Sequence, residues 1–237
     1  MNLTDKICIL ISLIIMSILS VGAFSAETDK SLVGYWKFDE GEGRIAKDSS
    51  PNKNNGLIYN AGWVKGKTGY ALEFNGKDSY ADCGNNANMN GATDEITIEC
   101  WVRLDVINTE YYPIIIGKGD GTSGYRLAQN IGTPEILFNV TDSGGNYTDI
   151  TPTYPVKPGE WNHIALTVKG KDAKVYANGN LYLAYALKAG GVKQGEGNLT
   201  MGSAAGAWFK GALDEVDIYN KALTAEEIKA HCEKANE

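Results

Sequence analysis

Residues 211–228 read Gly-Ala-Leu-Asp-Glu-Val-Asp-Ile-Tyr-Asn-Lys-Ala-Leu-Thr-Ala-Glu-Glu-Ile. They fit a strand, a corner and the start of a short helix, in that order. In Leu213–Tyr219, Leu213, Glu215, Asp217 and Tyr219 share one parity, and Asp214, Val216 and Ile218 share the other. Strand side chains alternate faces, so Val216 and Ile218 are placed to enter a core. Asn220-Lys221-Ala222 breaks the run. Thr224 stands three residues before Glu227, the spacing of a capping box, and predicts a helix through about Ala235.

The rest of the chain is built from short alternating runs. The clearest is Glu95–Leu104, where Ile96, Ile98, Cys100 and Val102 share one face and Glu95, Thr97, Glu99, Trp101 and Arg103 the other. Tyr70–Phe74 leads to Asn75-Gly76, and Ala173–Tyr176 leads to Asn178-Gly179; both dipeptides are hairpin signals. Many short strands with turn residues between them predict an all-β, antiparallel two-sheet sandwich over residues 32–235. No repeat of 20–50 residues is visible, which disfavours a propeller or solenoid. The first and last strands are expected to lie side by side, with the terminal helix on the rim.

The N-terminus has a different character. Lys6 precedes an apolar run from Ile7 to Val21, and Ala23-Phe-Ser25 supplies small residues at cleavage positions. Residues 1–25 therefore read as a secretory signal, with an uncleaved membrane anchor as the alternative. Residues 26–31 read as a short tether. Either way the domain is expected outside the cytoplasm, secreted or at the cell surface. Cys83, Cys100 and Cys232 follow the signal, so one disulfide and one buried thiol are expected, with the pairing open. The net charge is -7 and no basic run occurs, which excludes nucleic acid as a partner.

Four stretches together resemble laminin G-like jelly rolls of the concanavalin A-like lectin/glucanase superfamily. They are Tyr35-Trp-Lys-Phe-Asp-Glu-Gly-Glu-Gly43, Ala71-Leu-Glu-Phe-Asn-Gly76, Glu160-Trp-Asn-His-Ile-Ala165 with Tyr176-Ala-Asn-Gly179, and the closing stretch 211–228. The resemblance implies a jelly-roll sandwich with a binding surface on its concave sheet or rim loops. It also raises calcium as a cofactor.

Three kinds of chemistry have candidate residues. Asp39, Asp48 and Asp214 are carboxylates that meet at a calcium ion if the first and last strands are neighbours, with Ser50, Asn52 and Asn54 adding oxygens. The competing reading makes them aspartates that cap backbone amides in turns. Tyr111, Tyr112, Tyr125, Tyr147, Tyr154 and Trp208 lie in loop-like segments, where aromatic faces suit sugar rings. Trp36, Phe74, Trp101 and Trp161 read as core. Glu95 and Glu99 place two carboxylates on one strand face, as a glycosidase needs. The segment resembles the glutamate-x-aspartate-x-glutamate strand of retaining β-glucanases, but Thr97 replaces the middle acid. The function these features predict is a non-catalytic binding module for glycans. The alternatives are an adhesive module for an extracellular protein partner, and a weak glycoside hydrolase using Glu95 and Glu99.

Overall fold

The computed structural model describes residues 29–89, 94–119, 122–193 and 195–235. The proposed signal and residues 26–28 of the tether lie outside the described residues. No described helix is long and apolar enough to cross a membrane.

The chain enters one sheet, sheet A, as β1 (Leu32–Trp36). It crosses to the second, sheet B, for β2 (Ile45–Ala46) and β3 (Gly56–Tyr59), then returns to sheet A for β4 (Gly62–Lys65) and β5 (Tyr70–Asn75). β6 (Tyr80–Asp82) lies in sheet B and β7 (Glu95–Leu104) in sheet A. β8 (Ile114–Lys118), β9 (Tyr125–Gln129), β10 (Glu135–Thr141) and β11 (Tyr147–Pro155) form a meander in sheet B. β12 (Trp161–Lys169), β13 (Asp172–Ala177) and β14 (Asn180–Ala186) form another in sheet A. β15 (Leu199–Met201) closes sheet B between β8 and β6. A small hairpin, β16 (Ser203–Ala204) and β17 (Ala207–Trp208), precedes β18 (Lys210–Tyr219) and the helix α1 (Ala225–Lys234).

Each main sheet has eight strands, and every pairing is antiparallel. The two ends of the fold meet as expected, because β1 pairs with β18 from Leu32↔Tyr219 to Trp36↔Val216. One apolar core lies between the sheets. From sheet A it takes Ile96, Ile98, Cys100, Val102, Ile164 and Leu166, and from sheet B Ile115, Leu127, Phe138 and Met201. Full burial of each such aliphatic side chain contributes about 1.5–3 kcal/mol.

Four expectations need correction. Asn75-Gly76 is not a hairpin turn: β5 and β6 belong to different sheets, so the turn carries the chain across the sandwich. Asn178-Gly179 is a hairpin turn, with φ of 48° and 76°, the left-handed pair that a tight two-residue turn requires. The simple alternation in β18 breaks at a bulge between Asp214 and Asp217, where Glu215 has φ 46°. The extra residue lets Leu213 join Val216 and Ile218 in the core.

The helix begins at Thr224 with the full capping box, but it does not sit on the rim. Its Ile228 packs with Ala165, Tyr176, Tyr219 and Leu223 on the outer side of sheet A. Cys83, Cys100 and Cys232 are all buried, and no disulfide joins them among the described residues. Cys83 and Cys100 lie in the core between the sheets, whereas Cys232 lies under α1 beside Gly179.

Candidate functional site

Sheet B turns one row of residues outward, one from each strand. The cross-strand pairs run Asp149–Asn139–Arg126–Gly117–Thr200–Asp82–Leu57–Ile45. Their chain neighbours Ile150, Phe138, Leu127, Ile116, Met201, Ala81 and Ile58 point into the core, so the pleat turns this row away from it. From Asp149 to Asp82 the row spans about 24 Å, five strand spacings. It is polar at its centre, where Gly117 is buried against Ile114 and against Ala204 of the β16–β17 hairpin.

Aromatic side chains stand beside this row. Tyr59 and Tyr80 are cross-strand partners, and their rings stack at 4.6 Å with planes 9° apart. Trp208, on the β16–β17 hairpin, meets Tyr80 at 6.1 Å between ring centres. The Arg44 guanidinium lies over Tyr59 at 5.7 Å, and the Tyr111 hydroxyl reaches the Trp208 carbonyl at 3.4 Å. The hairpin is seated by Ala204 and Ala207 against Ile114, Ala128 and Leu137. At the other end, half-exposed Tyr147 binds Asp149, and Arg126 and Tyr112 are close enough to act on its hydroxyl. Burial raises the Tyr147 pKa, so the phenol stays a neutral hydrogen-bonding group.

Of the six expected ligand residues, the structure thus brings Tyr111, Tyr112, Tyr147 and Trp208 to this face. Tyr125 is corrected: it is 7% exposed and points into the core. Tyr154 is also corrected, because it packs edge-on to Tyr182 at 5.0 Å and bonds Asn178 at the side of the sandwich. Tyr59, Tyr80 and Arg126 were missed. Their signal was the outward parity of β3, β6 and β9, which is legible only once the inward residues are known. Trp36 and Phe74 are core as expected, but Trp101 faces away from it, with Lys67 over its ring at 4.4 Å.

The three aspartates expected at a cation do other work. Asp48 accepts from the backbone N–H of Tyr35 (2.9 Å), Ser50 (2.8 Å) and Asn54 (2.7 Å), and from the Ser50 hydroxyl (2.8 Å). Four donors fill the acceptor sites of one carboxylate. Asn52 and Asn54 turn their amides to the Val33 carbonyl. Asp39 and Asp214 flank one turn: Asp39 accepts from Tyr70 N–H at 3.2 Å, Asp214 from Thr68 N–H at 3.0 Å. Among the described residues no three His, Cys, Asp or Glu side chains group as metal ligands. The acceptor sites of Asp48 thus serve β1 and its own loop, which matches the turn-capping reading for that residue.

Under α1 lies a second recess of about 280 Å³, lined in part by Tyr35, Trp101, His163, Asp217, Tyr219 and His231. Behind it Glu99, 1% exposed, meets His231 Nδ1 at 2.6 Å and His163 Nε2 at 3.5 Å. Burial pushes the Glu99 carboxyl up, but its hydrogen bonds to His163 and His231 outweigh that and hold it below the ordinary range. The same bond to Glu99 raises His231. Asp217, the cross-strand partner of Glu99, is pushed well up by burial and by the neighbouring Glu99 charge. Tyr35 donates to Glu215, and burial raises that phenol too. This network ties α1 to the sheet.

Glu95, by contrast, pairs with Lys169 at 2.9 Å and accepts from Ala222 N–H. Four residues of strand separate it from Glu99 by about 13 Å, outside the spacings glycosidases use. Glu99 is sealed under the helix, so the two face no shared open cleft.

No curated protein matches the chain by sequence. Among solved structures it is similar to the binding domain of Paraclostridial Mosquitocidal Protein 1, with TM-score 0.70 and 19% identity over 86% of this chain and 52% of that one. It is also similar to domain 4 of AbnA, a GH43 extracellular arabinanase from Geobacillus stearothermophilus, solved in complex with arabinotriose (TM-score 0.70, 21% identity, 84% of this chain and 97% of that one). The botulinum neurotoxin serotype G binding domain gives TM-score 0.69 and 16% identity over 86% of this chain and 51% of that one. The chain thus spans about half the length of these toxin binding domains. At such identities the likeness establishes the fold. A family model described as the concanavalin A-like lectin/glucanases superfamily matches residues 75–229, more than half of the sequence. With the jelly-roll sheets and the joined chain ends, that match makes the chain a laminin G-like member of the concanavalin A-like lectin/glucanase superfamily.

Proposed function

We propose that the domain is a non-catalytic, extracellular module that binds glycan chains across the outer face of sheet B. One observation carries the reading: the tier of Tyr59, Tyr80 and Trp208 beside a cross-strand row whose polar side chains lie between Asp149 and Asp82. Sugar rings present apolar faces and polar edges. A Tyr or Trp face takes the first, while Thr200, Asp82 and tyrosine hydroxyls take the second. The row runs across the strands and has no end wall of its own, which suits a chain rather than a single sugar. The arabinotriose held by AbnA domain 4 supports the reading by analogy of fold. The apolar N-terminal run supports export.

The test is an oligosaccharide array followed by calorimetry. Trp208→Ala and Tyr80→Ala are each expected to weaken the bound oligosaccharide about tenfold, near 1.4 kcal/mol. Both residues are partly exposed, so melting temperature is expected to hold. Silence across the array, with capture of a purified surface protein instead, would replace this reading with adhesion.

A further inference from the structure

We infer that the glycan taken by sheet B is acidic: a largely neutral chain bearing a carboxylated sugar, with that carboxylate seated on Arg126. The inference rests on the glycan reading above and names its ligand class.

The chain has three arginines. Arg103 is spent on Asp105 at 2.7 Å and Glu73 at 3.2 Å. Arg44 lies over the Tyr59 ring. Arg126 stands in the middle of the outward row, and no described residue forms a hydrogen bond or ion pair with its guanidinium. The acids of the same row are already matched. Asp149 accepts from the Asn139 amide and from Tyr147. Asp82 accepts from the Asn198 amide at 2.9 Å and from Gly84 N–H at 2.8 Å. A planar guanidinium fork matches a carboxylate with two parallel N–H···O bonds.

Arg126 pairs across the sheet with Gly117, where a Cβ would meet Ile114 at 3.1 Å, Ala204 at 3.5 Å and Arg126 Cγ at 3.9 Å, so the glycine lets the β16–β17 hairpin pack closely beside the Arg126 stem. Half-exposed Tyr147 lines the same shallow recess as Arg126 and Asn139, so an aromatic face stands beside the guanidinium. Asp149 lies two strands from Arg126 and Asp82 three, about 10 and 14 Å away. They disfavour a continuous polyanion but tolerate one charge held at the centre.

The experiment uses matched pairs of oligosaccharides: a xylo-oligosaccharide with and without a single glucuronate, and a lactose-type glycan with and without a sialate. Each acidic member is also supplied as its methyl ester. The acidic member of one pair is expected to bind at least tenfold tighter than its neutral partner. The gain should vanish on esterification and in Arg126→Gln, and should survive in part in Arg126→Lys. Which pair responds separates a uronate from a sialate. If neutral and acidic members bind alike, or Arg126→Gln leaves their ratio unchanged, the inference falls and the glycan reading stands. If no member of any pair binds, both fall.

Discussion

Asp48→Ala is expected to lower the stability of the fold by about 3–5 kcal/mol. Asp48 is 2% exposed, and its carboxylate collects the N–H groups of Tyr35, Ser50 and Asn54 and the Ser50 hydroxyl. Alanine would leave these buried donors without an acceptor, at about 1–3 kcal/mol for each. The loss also frees the 48–55 loop from β1, the strand that pairs with β18. Against a usual total of about 5–15 kcal/mol, this is a large fraction. Urea unfolding measures it. A midpoint shift worth less than about 1 kcal/mol would show that the loop stands without Asp48. The same series run with calcium and with a chelator tests the cation role: if calcium raises the melting temperature of the parent but not of Asp48→Ala, the carboxylate serves an ion after all.

Stability is also expected to peak in mild acid, near about pH 5, and to fall as pH rises through 7. Three acids of β18 set the sign. Burial raises the Asp214 pKa from 3.8 to about 7, and burial also raises Glu215 and Asp217. A carboxyl with a raised pKa keeps its proton in the fold after the unfolded chain has lost it. Between those two pKa values the fold binds more protons, so rising pH favours unfolding. For Asp214 alone the effect is on the order of 3–4 kcal/mol. His231 acts in the same sense: its pKa is raised by Glu99, so its contribution is full below its unfolded value and is lost as pH climbs through its folded one. Glu99 sets the acid limit, because its pKa is lowered and its contribution disappears as pH falls through that lowered value. A melting temperature roughly 10 °C lower at pH 8 than at pH 5 is expected. Asp214→Asn should remove much of that slope, since an amide oxygen can still accept from Thr68 N–H. A flat or rising profile from pH 5 to 8 would refute the account.

The candidate site was half legible. Trp208, Tyr111, Tyr112 and Tyr147 stood out because they lie among turn formers, where an aromatic has no local reason to be. Tyr59, Tyr80 and Arg126 sit inside regular strands and look like any alternating residue. Tyr125 misled for the opposite reason. Its glycine-rich preceding segment looks like a loop, yet Tyr125 opens β9 on the inward parity. The thiols misled because cysteine count carries no geometry: Cys100 on β7 and Cys83 just past β6 are core residues, and Cys232 lies beyond sheet A.

What the sequence alone determined is local. Alternation marks strands, Asn-Gly marks sharp turns and Thr224 with Glu227 starts a helix, because each depends on backbone geometry within a few residues. Only the tertiary structure decided that Arg126 lies beside Gly117, that Gly117 lies beside Thr200, and that Asp214 turns from the core at a bulge. Those neighbours are up to 83 positions apart and are chosen by hydrogen-bond register between strands. A shift of one residue in that register exchanges the two faces, so an outward row exists only in the assembled sheet.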